Sequence, residues 1–422
     1  MISDIPPREA YVWVWLPGAA DPVVAGRVHA EASTGIVTFN YGRSYLDRGG
    51  ALPLYLPELP LQRGVIEPLE GLSIAGAIGD AGPDAWGRRV IENHIFGAGP
   101  MATHPELDKL TYLLRSGSDR IGALDFQRSA TEYIPRRTGT APLEQLLQAA
   151  EHVEHGDPLA PAVDDALLHG SSIGGARPKA LLEDADRKLI AKFASASDSY
   201  SVVRGEFVAM TLARRCGLDV ANVEITNALG KDVLLVERFD RVRNADGAWT
   251  RRAMISGLTM LGLDEMLGRY ASYADLARVV RERFTAPRAT LQELFGRIVF
   301  NILVGNSDDH ARNHAAFWDG AMLTLTPLYD VAPLPRAGGE TRQAMAIGPD
   351  GYQMSQVAGC VDAAATYLLS RGEARTIIDH QIEVIARDWD EVCDLAGMSV
   401  VDRRLFWNTA FLNPYALEGY GA

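Results

Sequence analysis

The most restrictive feature of this sequence is a change in hydrophobic period near residue 255. Residues 10–65 alternate apolar and polar positions between glycines and prolines, in segments such as "AYVWVWLPG", "GIVTFNYG" and "ALPLYLPELP". That alternation predicts short antiparallel strands. Residues 170–240 predict the order strand, turn, strand, helix, strand, strand, whereas nearly every segment beyond residue 255 has a helical period. We therefore expect an α+β fold: a β-rich N-terminal part, a small mixed sheet, and a mainly helical C-terminal part.

Local signals refine this order. The segment "GDAGPDAWGRRVIENHIFG" predicts a turn and then a helix that begins near Pro83, and "GSDRIGALDF" predicts a tight turn into a strand. We expect a helix at residues 143–155, a hairpin at "VRNADGAW" and a capping box at "TLQE", Thr290 to Glu293. The polar, aperiodic stretch 127–142 is the best linker candidate. The predicted domains are an N-terminal subdomain at residues 1–130, a sheet lobe at residues 143–250 and a helical lobe at residues 251–422.

Composition indicates an ordinary globular protein, because 47% of the 422 residues are hydrophobic and 23% are charged. The first residues, "MISDIPPREAYVWVWLPG", lack a basic segment followed by an apolar run. No stretch approaches the ~18 uninterrupted apolar residues of a membrane span. We therefore expect a cytoplasmic protein without membrane contact. The three cysteines, Cys216, Cys360 and Cys393, form no CxxC motif and are interpreted as buried core thiols.

The charge balance argues against direct binding of nucleic acid. The chain has 41 lysine and arginine residues against 54 aspartate and glutamate residues, for a net charge of −13. A field of that sign repels a phosphate backbone. Any association with nucleic acid is therefore expected to be indirect.

The densest group of polar side chains lies in "LVGNSDDHARNHAAF", residues 303–317. Within it, Asp308 and Asn313 have the spacing D-x-x-x-x-N just after a predicted helix. This is the spacing of the protein-kinase catalytic loop, where the aspartate accepts a proton from the attacking hydroxyl and the asparagine binds Mg²⁺. The spacing alone is weak, because a polar turn capped by Asp and Asn side chains has the same appearance.

Residues on both sides strengthen the kinase interpretation. Asp330 follows the apolar segment "LTLTPLY", where a kinase has its second metal-binding aspartate. Upstream, Lys192 ends the apolar segment "KLIAKF", and Glu206 follows fourteen positions later on a predicted helix. Each has a structural alternative: Lys192 as an ordinary strand-end lysine, Glu206 as a solvated helix residue and Asp330 as a turn former. Together with Asp308 and Asn313 these residues make five in the order found in kinases, and five are much harder to attribute to chance.

A phosphate-binding loop is expected before Lys192, and "SSIGGARPK", residues 171–179, is the candidate. Gly174 and Gly175 permit close backbone approach, Ala176 keeps the loop small, and Lys179 adds positive charge. The segment is neither GxGxxG nor a Walker loop, and in isolation a flexible strand connection explains it better.

The segment "LLVERFDR" has the position of a kinase hinge. Backbone groups from Glu237 to Phe239 could bind an adenine edge, and Asp240 could bind a ribose hydroxyl. This interpretation depends on position alone.

His310 and His314 at i and i+4 allow a different interpretation. With Asp308 and Asp309 they could form a metal-dependent hydrolase cluster. We rank this lower, since HExxH is absent and no further His or Cys group lies nearby in the sequence.

Taken together, the residues resemble the HipA family of serine/threonine kinase toxins, whose fold is a divergent protein kinase. "SIGGARPKALL" is similar to the family's phosphate loop and "VERFDR" to its hinge. "GNSDDHARNHAAF" resembles its catalytic loop and "LTPLYDVAP" its metal-binding segment. "GDAGPDAWGRRVIENH" and "DRIGALDF" resemble its N-terminal subdomain. The resemblance extends over most of the chain.

The resemblance implies a role for each matching residue. Asp308 is the expected catalytic base, Asn313 and Asp330 the expected Mg²⁺ ligands, and Lys192 the expected contact to the ATP phosphates. The remaining expected ATP contacts are the loop residues Gly174, Gly175, Ala176 and Lys179, and the hinge residues Glu237, Phe239 and Asp240. Glu206 and His310 are expected to support the site. Ser172 corresponds to the family's autophosphorylated serine, with Ser171 as the alternative; Arg177 and Pro178 depart from the family's loop.

These roles favour an ATP- and Mg²⁺-dependent protein kinase that is inactivated by autophosphorylation, because phosphoserine beside a triphosphate site repels nucleotide. The resemblance implies an aminoacyl-tRNA synthetase as substrate class, and a HipB-like helix-turn-helix antitoxin as the partner that brings the protein to DNA. Two alternatives remain: a small-molecule kinase of the aminoglycoside or choline kinase type, and a catalytically silent kinase-fold binding protein.

Overall fold

The computed structural model describes residues 6–97, 106–136, 141–157, 166–168, 170–184, 186–195, 198–336 and 338–421. Its strands are β1 (Glu9–Val14), β2 (Val23–Ala30), β3 (Val37–Tyr41), β4 (Leu124–Gln127), β5 (Lys179–Asp184), β6 (Arg187–Phe193), β7 (Val223–Ala228), β8 (Lys231–Glu237), β9 (Arg241–Arg243), β10 (Trp249–Arg251), β11 (Met254–Ser256), β12 (Ala315–Trp318) and β13 (Leu323–Leu325).

The α-helices are α1 (Arg43–Leu46), α2 (Gly76–Gly79), α3 (Ala85–Phe96), α4 (Lys109–Arg115), α5 (Leu143–His155), α6 (Val202–Arg215), α7 (Gly257–Met260), α8 (Tyr273–Arg283), α9 (Pro287–Leu303), α10 (Val357–Ala363), α11 (Arg371–Leu395) and α12 (Val400–Phe406). Short 3₁₀ turns lie at Gly170–Ser172, Glu265–Tyr270, Ala311–Asn313, Ala364–Tyr367 and Pro414–Leu417. In the part of the chain described, no helix is both long and apolar enough to cross a bilayer.

The chain forms two units. The first comprises residues 1–196, 227–255 and 317–321, and the second comprises residues 197–226, 256–316 and 322–422. The described residues of the predicted linker, 127–136 and 141–142, belong to the first unit. The predicted three-domain boundaries stay a prediction.

Besides the β9–β10 hairpin, the first unit contains two larger antiparallel sheets. One has the strand order β3-β2-β1-β4, and the register of β1 with β2 shifts between Val12 and Trp13. The other contains β5, β6 and β8 as neighbours, with Lys179 opposite Lys192 and Leu189 opposite Glu237. Helices α3 and α5 share a core with this second sheet, in which the buried residues include Trp86, Val90, Leu147, Val153, Ala180, Ala191, Phe193 and Val233.

The second unit is mainly helical. Helix α9 is its central element, since every residue from Leu294 to Leu303 is buried, and it packs against α8, α10 and α11. Helix α11 also packs against α6. A capping box formed by Ser370 and Glu373 begins α11. The buried helix α9 leads directly into the polar segment that contains Asp308.

Most of the expected elements are present. The helix near Pro83, the strand after "GSDRIGA", the helix 143–155, the strand and helix order of residues 170–240 and the β9–β10 hairpin are all confirmed. The three cysteines are free and buried, as predicted.

Two local predictions are wrong. Residues 51–60 form no strand and contribute one isolated bridge between Tyr55 and Leu59, because three prolines there lack the N–H that a ladder needs. Thr290 does not cap a helix: α9 begins at Pro287, so that "TLQE" lies within its first turns. Proline at the first helical position explains the earlier start, since its missing N–H costs nothing there.

Candidate active site

Two of the predicted ATP-binding lysines are direct neighbours in the first unit. Lys179 on β5 is opposite Lys192 on β6, and directly opposed residues of an antiparallel pair project to the same face of the sheet. Lys179 is buried, and its Nζ donates a hydrogen bond to the carbonyl oxygen of Gly174. Two ammonium groups on one face of a small sheet provide positive charge just after the glycine-containing loop.

The loop itself is bonded to the start of α3. The N–H of Gly175 donates to Oδ2 of Asp84 over 2.8 Å, and the carbonyl of Gly175 accepts from the N–H of Trp86 over 3.1 Å. The indole Nε1 of Trp86 donates to the carbonyl of Lys179 over 3.0 Å. Gly175 has a φ of +103°, which explains the need for glycine. Ala176, by contrast, is exposed.

Both candidate serines are buried in the turn that precedes the loop. Ser171 Oγ accepts a 3.3 Å hydrogen bond from the N–H of Gly117. Among the residues that the structure describes, the Ser172 hydroxyl has no hydrogen-bond partner. Gly87 on α3 packs so tightly that a Cβ there would collide with the carbonyl oxygen of Ser171. The turn is therefore covered by α3.

The predicted hinge follows β8. Glu237 is the last residue of β8, and the next residue, Arg238, bonds through its N–H to the carbonyl of Lys188 over 2.8 Å. The ring of Phe239 contacts Phe317 edge to face, with centroids 5.9 Å apart. Glu237 and Phe239 are both partly exposed. Their backbone roles toward adenine stay a prediction.

Asp240 lies in a buried ionic cluster. Its carboxylate pairs with Arg238 at 2.9 Å and Arg241 at 2.7 Å, and it also accepts the N–H of Gly122 at 2.8 Å. Both arginines also pair with Asp119. Burial raises the pKa of Asp240, but the two arginines and the Gly122 N–H outweigh burial and hold it below its usual value. These contacts hold Asp240 in a buried ionic cluster, and its expected role toward a ribose hydroxyl stays a prediction.

In the second unit, the two adjacent aspartates after α9 have opposite environments. Asp308 is exposed, whereas Asp309 is buried. Asp309 Oδ2 accepts hydrogen bonds from Tyr273 OH at 2.5 Å, Asn301 Nδ2 at 2.7 Å and His314 Nε2 at 2.9 Å. One carboxylate thus anchors the segment while the other remains accessible for chemistry.

The two histidines of the segment also separate. His314 is buried against Asp309, and its ring meets Tyr273 edge to face with centroids 5.5 Å apart. His310 is exposed, and its carbonyl accepts the N–H of Asn313 over 2.9 Å. Within the described ranges, no three or more His, Cys, Asp or Glu side chains are grouped to hold a metal ion. The separation of the rings argues against the hydrolase cluster.

Asn313 and Asp330 lie on segments that touch. The Nδ2 of Asn313 points to the carbonyl of Asp308 at 3.4 Å, and the hydroxyl of Tyr329 donates to the carbonyl of Arg312 over 2.8 Å. Tyr329 and Arg312 are the immediate neighbours of Asp330 and Asn313. Asp330 has a φ of +61°, which an L-residue rarely adopts. The structure therefore brings together the segments of the two predicted metal ligands.

Glu206 is buried on α6 in the second unit, and Lys192 lies on β6 in the first. Their expected pairing stays a prediction.

The sequence did not indicate the anchoring role of three residues that organise these segments: Asp84, Asp119 and Asp309. Each bonds to residues far away in the chain or in a neighbouring element. A usable signal existed only for the first of them, because Gly87 within a helical pattern suggests close packing at the start of α3.

These elements define an α+β protein with a protein-kinase-like fold. HipA of Shewanella oneidensis, solved with HipB and its operator DNA, superposes with a TM-score of 0.69 at 19% identity and covers 96% of this chain and 99% of that one. The predicted fold class is therefore confirmed. The family model "HipA-like C-terminal domain" matches residues 171–389, and the chain belongs to the HipA family.

Two relatives are similar in sequence. "Putative kinase Y4mE" of Sinorhizobium fredii is 26% identical over 390 residues, which cover 86% of this chain and 89% of that protein. "Serine/threonine-protein kinase toxin HipA" of Shewanella oneidensis is 29% identical over 185 residues, which cover 39% of this chain and 42% of that toxin. The predicted family is therefore confirmed.

Proposed function

We propose that this chain is an ATP- and Mg²⁺-dependent serine/threonine protein kinase that autophosphorylates at Ser172. The observation that carries the proposal is the division of the neighbouring aspartates, in which Asp309 is fixed by three buried hydrogen bonds and Asp308 is exposed. A kinase base must be held in place and also reach a substrate hydroxyl. The buried aspartate meets the first need and the exposed one the second.

The phosphate side of the reaction is assigned to Lys179 and Lys192. Their opposed positions on β5 and β6 put two ammonium groups on one face of the sheet. Both would neutralise phosphate charge, and Glu206 would orient Lys192. Glu237 and Phe239 would bind adenine through backbone groups, and His310 would support the catalytic segment.

The donor atoms of Asn313 and Asp330 fit Mg²⁺. Mg²⁺ prefers oxygen ligands and is commonly held by one or two carboxylates together with substrate phosphates. An amide oxygen and a carboxylate on adjacent segments satisfy that preference. When bound, Mg²⁺ would offset the charge that develops on the transferred phosphoryl group.

Asp308 would take the proton of the attacking serine hydroxyl. The exposed carboxylate can approach a hydroxyl on a protein surface, and its backbone carbonyl is linked to Asn313. The transferred group passes from ATP to that hydroxyl oxygen, and ADP is the leaving group. The carboxylate thus needs only to orient the nucleophile and accept its proton.

Ser172 is the proposed modification site. Its hydroxyl is buried and, among the described residues, has no hydrogen-bond partner, whereas Ser171 is bonded to Gly117. Modification therefore requires the turn Gly170–Ser172 to leave its position under α3. A dianionic phosphoserine is too costly to bury there again, so that the loop would stay displaced.

Substrate and partner are the least specific parts of the proposal. We assign a protein substrate, with aminoacyl-tRNA synthetases as the class implied by the family resemblance. We assign a HipB-like antitoxin as partner, because the superposable HipA was solved with HipB and operator DNA. This chain's net charge of −13 is consistent with contact to DNA through the partner alone.

The test is incubation of the purified chain with γ-labelled ATP and Mg²⁺, followed by mapping of labelled peptides. We expect label at Ser172, its loss in Asp308→Asn, and its retention in Asp246→Asn, a matched change at an exposed turn carboxylate. Removal of Mg²⁺ with a chelator should also abolish labelling.

Other outcomes discriminate among the alternatives. Label at Ser171 would move the site by one residue. Persistent labelling in Asp308→Asn would contradict the assignment of the base. Labelling of an aminoglycoside without labelled protein would favour a small-molecule kinase, and absence of nucleotide binding would favour a catalytically silent protein.

A further inference from the structure

The loop at Gly174 and Gly175 already holds a carboxylate. Oδ2 of Asp84 accepts the N–H of Gly175 over 2.8 Å. The same oxygen lies 2.9 Å from the position that a Cβ would occupy at Gly174. Any side chain at position 174 would therefore crowd the carboxylate. Glycine at 174 and the positive φ of Gly175 produce a turn that accepts an anion at close range, and the anion here belongs to the chain itself.

The contact involves more than one hydrogen bond. The carbonyl of Gly175 is also occupied, because it accepts the N–H of Trp86 two residues after Asp84. Lys179 is turned inward, and its Nζ donates to the carbonyl of Gly174. The backbone N–H and C=O of Gly175 and the ammonium of Lys179 thus all have partners within the first unit. The N–H and C=O of Gly175 are therefore satisfied by the chain itself.

We propose that Asp84 is an internal competitor of nucleotide phosphate at the Gly174–Gly175 turn, and so sets the affinity for nucleotide. The inference rests on the proposed function, since it assumes that this turn binds the phosphates of ATP. A phosphate oxygen that takes the Gly175 N–H must displace the Asp84 carboxylate. Until displaced, that carboxylate also repels the incoming anion. The N-terminal segment therefore weakens binding at the site that it covers.

Neutral replacements of Asp84 test the proposal. Asp84→Asn and Asp84→Ser remove the charge, and both residues retain a side chain suited to the N-cap position that Asp84 holds before α3. Glu92→Gln is the matched control, because it removes one negative charge from α3 at a residue whose partner is Tyr112. Thermal unfolding of each variant verifies that it is folded.

The measurement is isothermal titration calorimetry with Mg²⁺ and a non-hydrolysable ATP analogue, and separately with pyrophosphate and with adenosine. We expect both Asp84 variants to bind the analogue and pyrophosphate about tenfold more tightly than wild type, as for loss of one competing charge-assisted hydrogen bond. Adenosine has no phosphate, so its affinity should be unchanged. Glu92→Gln should match wild type throughout.

Each outcome has one interpretation. Unchanged or weaker binding of the analogue by both folded Asp84 variants would overturn the proposal and make Asp84 a support of the loop. A gain for adenosine as large as that for the analogue would also overturn it, because the effect would not concern phosphate. Tighter binding without any phosphotransfer would sustain this inference and refute the kinase. Absence of binding by every form would refute both.

Discussion

Nε2 of His314 donates a 2.9 Å hydrogen bond to Asp309, directly beside the exposed Asp308. Burial raises the pKa of Asp309, but the electrostatic interaction with His314 and the hydrogen bonds from His314 and Tyr273 outweigh burial and hold this pKa below its usual value. The pair fixes the backbone on which the proposed base is carried. Removal of either residue of the pair should therefore destabilise the fold, and any loss of activity should follow from that destabilisation.

The first prediction concerns this pair. Asp309→Ala should lower the free energy of unfolding by about 3–5 kcal/mol, because it leaves buried donors without their acceptor. His314→Phe should also destabilise the protein. The loss of unfolding free energy in the double variant should be smaller than the sum of the two single losses by about 1–3 kcal/mol. Urea unfolding measures all three. Asp308→Asn is the control and should change the free energy of unfolding by no more than about 0.5 kcal/mol, because Asp308 is exposed. Additive costs would mean that the pair is not coupled.

The second prediction concerns Asp240. Asp240→Asn should destabilise the protein by about 3–5 kcal/mol, because Arg238 and Arg241 would keep their buried charge with one carboxylate fewer. Chemical unfolding provides the measurement, with Asp246→Asn as the exposed control. Normal stability together with weakened nucleotide binding in Asp240→Asn would contradict the structural prediction and support the ribose role that the sequence suggested.

The third prediction is the acid dependence of stability. Burial raises the pKa values of Asp240 and Asp119, but the arginines of the cluster outweigh burial. They hold the pKa of Asp240 below the ordinary value of 3.8 and that of Asp119 well below it. A carboxyl whose pKa is lower in the folded state than in the unfolded state stabilises the fold. This stabilisation is fully present above the unfolded-state pKa, and it is lost as the pH falls from that value through the folded-state pKa. The free energy of unfolding should therefore decline as the pH is lowered from about 4 to about 2. Asp240→Asn should show a shallower decline; an equal slope would exclude Asp240 as a source.

The fourth prediction tests the covering of the serine turn by α3. Gly87→Ala inserts a methyl group against the carbonyl of Ser171, so that the turn must move. We expect a loss of about 1–3 kcal/mol from overpacking and faster hydrogen exchange at Ile173, whose N–H bonds to Gly170. Gly79→Ala is the control, because its Cβ would meet only Ile74 at an ordinary 3.7 Å. Unchanged exchange at Ile173 would indicate that α3 yields instead of the turn.

The sequence alone predicted those strands and helices that are determined by residues within the segment itself. The strand that ends at Lys192 and the helix that carries Glu206 follow from apolar period and helix-terminating residues within the segments themselves. The order of polar residues around Asp308 was equally accessible. The two wrong predictions, a strand at residues 51–60 and a helix cap at Thr290, also have local causes. Prolines prevent the strand despite its apolar alternation, and Pro287 begins the helix before the capping motif.

What sequence could not predict depends on contacts between distant positions. Asp240 follows the predicted hinge and therefore suggested a ribose contact. Its environment, however, includes Gly122 and the arginines that also pair with Asp119, more than a hundred residues earlier. Likewise, two adjacent aspartates are indistinguishable until the fold buries Asp309 against Tyr273. Burial of one member of a pair is a property of tertiary packing, and no short-range pattern encodes it.

Trp86 bonds to the proposed phosphate loop and to the strand that follows it, through its N–H to Gly175 and through its indole to Lys179. Release of the loop would break the hydrogen bond between Gly175 and Trp86 and so change the surroundings of that buried indole. Tryptophan emission responds to such changes, so the chain contains its own optical reporter of the loop. With the other tryptophans replaced by phenylalanine, stopped-flow fluorescence could follow opening in real time without an attached dye.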